Sequence, residues 1–234
     1  MDFKKKPILG MIHLSGQHVV DRAKHELDIF QEEGLGGAII ENYIGGLDEV
    51  REVLKGIDWS NYPDLLLGIN ILPNDYRLAL ELSHDNKFDF IQLDNVAGTY
   101  VNNIPVDEED YLMVRKKYPN IKVLGGVWPK YYQPVAESNL DDDLESAMFR
   151  CDAVVVTGKG TGKETPLDKI VSFRTKIKKF PLIVGAGLTA DNVQEQLRIA
   201  DGAIVGSCFK PYGRINEPVN RQYVKEFMEK AKDL

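Results

Sequence analysis

Cysteine is scarce in this chain of 234 residues, which holds only Cys151 and Cys208. Each lies beside an apolar run, and neither has the paired spacing of a zinc or dithiol motif. A disulfide framework is excluded, and a reducing compartment fits best. Excess positive charge is missing too. The 29 basic and 36 acidic residues leave a formal charge of -7, which offers no electrostatic footprint for nucleic acid or anionic lipid. Nor does any stretch approach the roughly 20 apolar residues of a membrane span. The opening MDFKKKPILGMIHL carries a basic cluster, but Gly10 and His13 interrupt its short apolar run, unlike a signal peptide. The expectation is a cytoplasmic, soluble protein with no nucleic-acid or membrane partner. Composition shifts, linkers and low-complexity stretches are also lacking, so residues 1–234 read as one domain.

What recurs is a short run of Ile, Val and Leu followed by a polar segment with helical spacing. Eight such runs are present: Ile8 to His13, Gly37 to Glu41, Leu65 to Ile71, Phe88 to Leu93, Lys122 to Val127, Ala153 to Thr157, Leu182 to Gly185 and Gly202 to Gly206. Continuous apolar runs of this length suit parallel strands covered on both faces. Between and after them the spacing predicts helices over Val20 to Glu33, Leu47 to Gly56, Asn74 to Ser83, Glu108 to Tyr118, Leu140 to Phe149, Leu167 to Ile177, Ala190 to Arg198 and Val219 to Ala231. Asn74, Asp141 and Asp191 are capping residue types, and Pro166 suits a first helical turn. Eight uninterrupted strand-helix alternations favour a closed TIM (β/α)8 barrel over an open doubly wound sheet.

In such a barrel the loops after the strands form the functional face. The irregular segments Gly98 to Val106, Pro129 to Asn139, Gly158 to Thr165 and Pro211 to Pro218 all follow strands. The strongest signal is the pair VGAGLTADNV and ADGAIVGSCFK after the seventh and eighth strands. Gly185, Gly187, Gly206 and Ser207 would let backbone N–H groups approach an oxyanion, with Lys210 as a counter-charge. This pattern points to a phosphorylated small-molecule ligand. The stretch TGKGTGKETP looks like a nucleotide loop but fails the spacing: Thr157 stands where a Walker A loop has glycine, and Glu164 follows Lys163 where it has Ser or Thr. It reads instead as a loop over the barrel mouth, with Thr157 and Lys159 toward substrate.

Polar residues close the other apolar runs. His13, Glu41 and Asp94 are candidates for acid-base work, and Asn42, Asn70 and Asn95 for orienting a ligand. No metal-ligand spacing is present, although Glu41, Asp94 and His13 would suit a divalent magnesium or manganese ion if they converged. His18, His25 and His84 fall in helical or loop segments and read as surface residues. Lys130 also ends a unit, but it follows Trp128-Pro129 in a loop, which argues against an amine nucleophile buried in a strand.

With KPILGMIHL, GGAIIENY, GINILPND, DAVVVTGKGTG, VGAGLTADNV and ADGAIVGSCFK laid out, the chain resembles the BtpA/SgcQ family along nearly its whole length. The resemblance implies a TIM barrel with a phosphate-type site and places His13, Glu41, Asn42 and Asn70 at the family's polar positions. It implies no particular reaction. Leu93-Asp94-Asn95 and Lys130-Tyr131 depart from the Val-Asn and Lys-His common in that family at these points. Two readings follow: an isomerase, lyase or glycosidic hydrolase acting on a sugar phosphate or nucleotide-like compound, or a non-catalytic assembly or regulatory factor using the barrel as scaffold or sensor. Homo-oligomers are common for such barrels, but no residue here specifies an interface.

Overall fold

The computed structural model describes residues 1–101, 103 and 105–232. Two positions of the irregular segment after the fourth strand, 102 and 104, lie outside the described residues. Eight parallel strands close into a barrel in sequence order, with the eighth paired to the first. They are β1 (Ile8–His13), β2 (Gly37–Glu41), β3 (Leu66–Asn70), β4 (Phe90–Leu93), β5 (Lys122–Gly126), β6 (Ala153–Thr157), β7 (Leu182–Gly185) and β8 (Gly202–Val205). The helices between and after them are α1 (Val19–Glu32), α2 (Leu47–Gly56), α3 (Tyr76–Asp85), α4 (Glu108–Arg115), α5 (Leu140–Arg150), α6 (Leu167–Ile177), α7 (Val193–Leu197) and α8 (Arg221–Ala231).

The eight runs read from sequence are the eight strands, trimmed by one or two residues at some ends. The capping residues differ more. Helix α3 is capped by Asp75, whose side chain accepts from Leu78 N, and α5 by Asn139, which accepts from Asp141 N and Asp142 N. Asp141 instead joins Asp142 and Asp143 in the first turn, where their charges favour the positive end of the helix dipole. Asn74 has left-handed backbone, φ 67, and its amide bonds both the N–H and the carbonyl of Asn95. It therefore pins the loop after β4 rather than starting a helix. The seventh helix begins later than its spacing suggests, because Asn192 Oδ1 accepts from Thr189 N and shapes residues 189–192 into a turn.

Alternation along each strand sorts the core into two layers. Outward residues pack against the helices and form the larger cluster, including Ile12, Ile40, Ile69, Val123 and Val154. Inward residues Leu9, Met11, Ile39, Phe90, Leu124, Ala153, Val155, Ile183 and Ile204 fill the barrel. Phe90 fits because β3 offers Gly68 beside it: a Cβ at Gly68 would lie 2.3 Å from the Phe90 ring. Gly68→Ala is expected to cost about 1–3 kcal/mol by overpacking, read as a lower midpoint in urea at unchanged slope. Pairing it with Phe90→Leu should recover part of that loss.

Candidate functional site

The same alternation that sends Leu9, Met11 and Ile39 inward sends the last residue of several strands to the barrel mouth. One cavity opens there, about 860 Å3 with its open mouth counted, and His13, Glu41, Asp94, Thr157, Gly185, Gly187, Gly206 and Ser207 all line it. Glu41 is buried, and its Oε1 accepts from Asn70 Nδ2 at 2.8 Å. Its Oε2 lies 3.6 Å from His13 Nε2. Register explains the grouping, since His13, Glu41 and Asn70 are aligned partners across β1, β2 and β3.

Burial dominates the electrostatics. It raises the Glu41 carboxyl to about 7, assisted by repulsion from Asp94 and opposed by the charge of Lys130 and the Asn70 hydrogen bond. Burial also drives His13 well below its ordinary value, and the positive charges of Lys210, Lys130 and Arg22 push it the same way. Near neutrality the imidazole is therefore uncharged, while Glu41 stands between its acid and base forms. Burial raises Asp94 as well, against Lys130, Asn70 and the Tyr132 hydroxyl. A buried acid-base pair with one carboxyl near pH 7 can move protons for a bound molecule.

At the other side of the mouth the loops after β6, β7 and β8 meet. Ala186 and Gly187 both have left-handed backbone, φ 66 and φ 69. A side chain at Gly187 would collide with the backbone of Lys163 and Glu164 at 2.3 Å, so glycine there lets the glycine-rich loop settle against the β7 loop. Gly162 comes close enough that its Cβ would lie 3.2 Å from Ser207 Oγ. The N–H groups of Gly187, Leu188, Gly206 and Ser207 have no acceptor among the described residues. Gly206 has a second role: a Cβ there would stand 2.8 Å from the His13 ring.

Several expected contacts fall elsewhere. Lys210 does not line the cavity; it is buried behind it, donating to Ile215 O at 3.2 Å and facing Glu26 at 3.7 Å. The cause is Glu26 on α1, a fully buried carboxylate that attracts both Lys210 and Arg22. Lys159 is exposed and points to a neighbouring surface depression. The Asn42 amide is spent on both backbone groups of Leu72. Asn70 and Asn95 lie behind the lining; Asn70 acts through Glu41, while both side-chain atoms of Asn95 are buried without a partner among the described residues. Among the described residues no group of His, Cys, Asp and Glu is arranged to hold a metal. His18, His25 and His84 are exposed.

Sequence reasoning overlooked Tyr43, Gln92, Tyr131, Thr161 and Gly162, which also line the cavity. Gln92 carried a signal, being the polar residue at the inward register between Phe90 and Asp94. Lys130, which ends its unit in the sequence and is disfavoured there only as an amine nucleophile, lines it too.

The BtpA family model matches residues 60–233. The chain belongs to the BtpA family. Among its relatives is an uncharacterised protein of Thermococcus kodakarensis, 30% identical over 100% of this chain and 98% of its own length. The photosystem I biogenesis protein BtpA of Synechocystis is 24% identical over 95% of this chain and 87% of its own length. Among solved structures, the N-(5'-phosphoribosyl)anthranilate isomerase of Pyrococcus furiosus superposes with a TM-score of 0.63 at 18% identity, covering 98% of this chain and 100% of that one. That likeness is one of fold. No helix among the described residues of this family member is long and apolar enough to cross a membrane.

Carboxyl-labelled glutamate should reveal one resonance with a midpoint near 7, absent in Glu41→Gln; a titration of that resonance near 4.5 would refute the burial argument. Because the folded value is raised, the stability Glu41 contributes is complete below about 4.5 and is lost as pH rises through 7. Over that window Glu41→Gln should lose less stability than the parent.

Proposed function

We propose that this protein is an enzyme acting on a phosphorylated small metabolite of the sugar-phosphate kind. The phosphate is held by the loops after β7 and β8, and Glu41 with His13 and Asp94 moves protons on the carbon skeleton. The observation that supports this reading is that Gly187, Leu188, Gly206 and Ser207, whose backbone N–H groups have no acceptor among the described residues, line the same cavity as Glu41. Backbone donors at fixed glycine turns suit a phosphate, whose oxygens accept several hydrogen bonds at once. The placement also suits catalysis by position. His13 on β1 adjoins β8 on one side and β2 on the other, so an anchored phosphate would leave its attached carbons near Glu41. The Pyrococcus furiosus barrel of similar fold is by name an isomerase of a phosphoribosyl compound, which agrees with the reading through fold alone.

A scaffold reading draws on different residues. Phe149 on α5 is 84% exposed, and Met113 on α4 and Val171 on α6 are exposed as well, outside the mouth where a partner or a second copy could dock. The Synechocystis relative, named as a biogenesis protein, fits that reading. It does not account for a buried, proton-poised Glu41 inside a cavity.

A panel of sugar phosphates and nucleotides followed by thermal unfolding decides between them. At ~100-fold excess over Kd a ligand adds about 2.7 kcal/mol, which for a domain of this size is a rise of roughly 5–10 °C in Tm. Ser207→Asp should abolish the rise by setting a carboxylate against the phosphate, while Glu41→Gln should keep it. A panel without any responder, or a Ser207→Asp variant responding like the parent, would sink the phosphate reading.

A further inference from the structure

Between β5 and α5 the chain turns through Trp128-Pro129-Lys130-Tyr131. Two bulky residues of this turn have left-handed backbone, Trp128 at φ 46 and Tyr131 at φ 69. Such conformations persist only where the surroundings hold them, and they concentrate at functional sites. Here three side chains do so. Tyr100 Oη accepts from Trp128 N at 3.0 Å, Thr157 Oγ1 accepts from Lys130 N at 2.8 Å, and the Lys169 ammonium donates to the Trp128 carbonyl at 2.8 Å. The residue thus positioned is Lys130, whose side chain lines the cavity.

The surroundings of its ammonium suit a cation but do not neutralise it. Nζ donates to the neutral Thr161 Oγ1 at 3.0 Å and stands 5.8 Å and 5.9 Å from the ring centres of Tyr43 and Tyr131. Its charge acts on Glu41, Asp94 and His13, yet among the described residues neither carboxylate reaches ion-pairing distance of it. A fixed cation and a buried base therefore face one cavity with a gap between them. A stable second anion on the ligand would be opposed by Glu41 and Asp94. A neutral carbonyl that becomes negative only during reaction would not, and stabilising charge that develops late is how such a cation accelerates a step. Gln92 Oε1 and His13 Nδ1, both buried without a partner among the described residues, suit hydroxyl groups of the same molecule.

We propose that Lys130 is the electrophile of this site and that the substrate is an aldose or ketose phosphate, isomerised through an enediolate whose oxygen faces the Lys130 ammonium. This rests on the phosphate anchoring proposed above. Glu41 as carboxylate removes the proton from the carbon next to the carbonyl. The C–H electron pair becomes the C=C bond, and the carbonyl π pair moves onto oxygen beside Lys130. A proton passes from the hydroxyl oxygen to that oxygen by way of the uncharged His13, and Glu41 returns its proton to the neighbouring carbon. Atoms and electrons balance without an oxidant or a further reactant.

The test is solvent exchange. The protein is incubated in D2O with glyceraldehyde 3-phosphate, ribose 5-phosphate, ribulose 5-phosphate, glucose 6-phosphate and fructose 6-phosphate, and the C–H signal beside the carbonyl is followed by proton NMR. Inorganic phosphate is tested in parallel for its effect on Tm. The expected result is enzyme-dependent exchange with at least one compound, slowed ~100-fold or more in Lys130→Met, with the phosphate shift retained and part of the rate recovered in Lys130→Arg. Exchange that proceeds equally in Lys130→Met overturns the role of Lys130. A phosphate shift without exchange from any of the five overturns the enediolate and leaves phosphate anchoring intact. Absence of both the phosphate shift and exchange removes the two together.

Discussion

Closing eight parallel strands into a ring divides each strand's side chains into an inner and an outer set, and everything else in this molecule depends on that division. The inner set cannot reach water except at the ends. Apolar residues such as Met11, Ile39, Phe90, Leu124 and Val155 accordingly fill the middle, while His13, Glu41 and Thr157, two positions beyond Met11, Ile39 and Val155, arrive at the mouth. Strand register then sets which of them touch. His13, Glu41 and Asn70 are in line across three neighbouring strands, so the Asn70 amide meets one Glu41 oxygen and the His13 ring approaches the other.

Packing against the helices fixes the adjoining wall. Arg22 on α1 donates to Ser15 after β1 and to the carbonyls of Asn216 and Glu217 after β8, and Lys210 is drawn to the same Glu26. Lys210, the charge that sequence inspection would spend on a ligand, is thus used with Arg22 to tie the first and last units of the barrel together. What lines the cavity on that side is Gly187, Leu188, Gly206 and Ser207, whose backbone N–H groups have no acceptor among the described residues; neutral donors of this kind suit an oxyanion better than a salt bridge that must first be desolvated. Among the described residues Lys130 is the cation that lines the cavity, delivered by a turn held in place by Tyr100 in the loop after β4 and by Thr157 at the end of β6.

Strand periodicity made the barrel legible, since a buried parallel strand writes itself as a continuous apolar run and eight of them alternate with helical spacing. The strand-end residues His13, Glu41, Asp94 and Thr157 were legible for the same reason. Residues whose role depends on distant partners were not. Lys210 reads as a phosphate counter-charge until Glu26, far away in sequence, is seen beside it, and Asn42 reads as a ligand contact until its amide is found mimicking a peptide for Leu72. Lys130 and Tyr131 sit in a stretch without periodicity, and their approach to Thr161 across the mouth has no local signature. Asn74 and Asp141 were misplaced by one or two positions because capping residue types cluster at helix starts, and only backbone geometry selects among them.

Phosphate anchoring on the wall formed after β7 and β8 is tested most directly by backbone amide chemical shifts in labelled protein titrated with a responding sugar phosphate. Anchoring on this wall moves the amides of Gly187, Leu188, Gly206 and Ser207 first and furthest, with Gly162 among the affected neighbours. Saturable shifts confined to other parts of the surface, with these four amides unmoved, would contradict it.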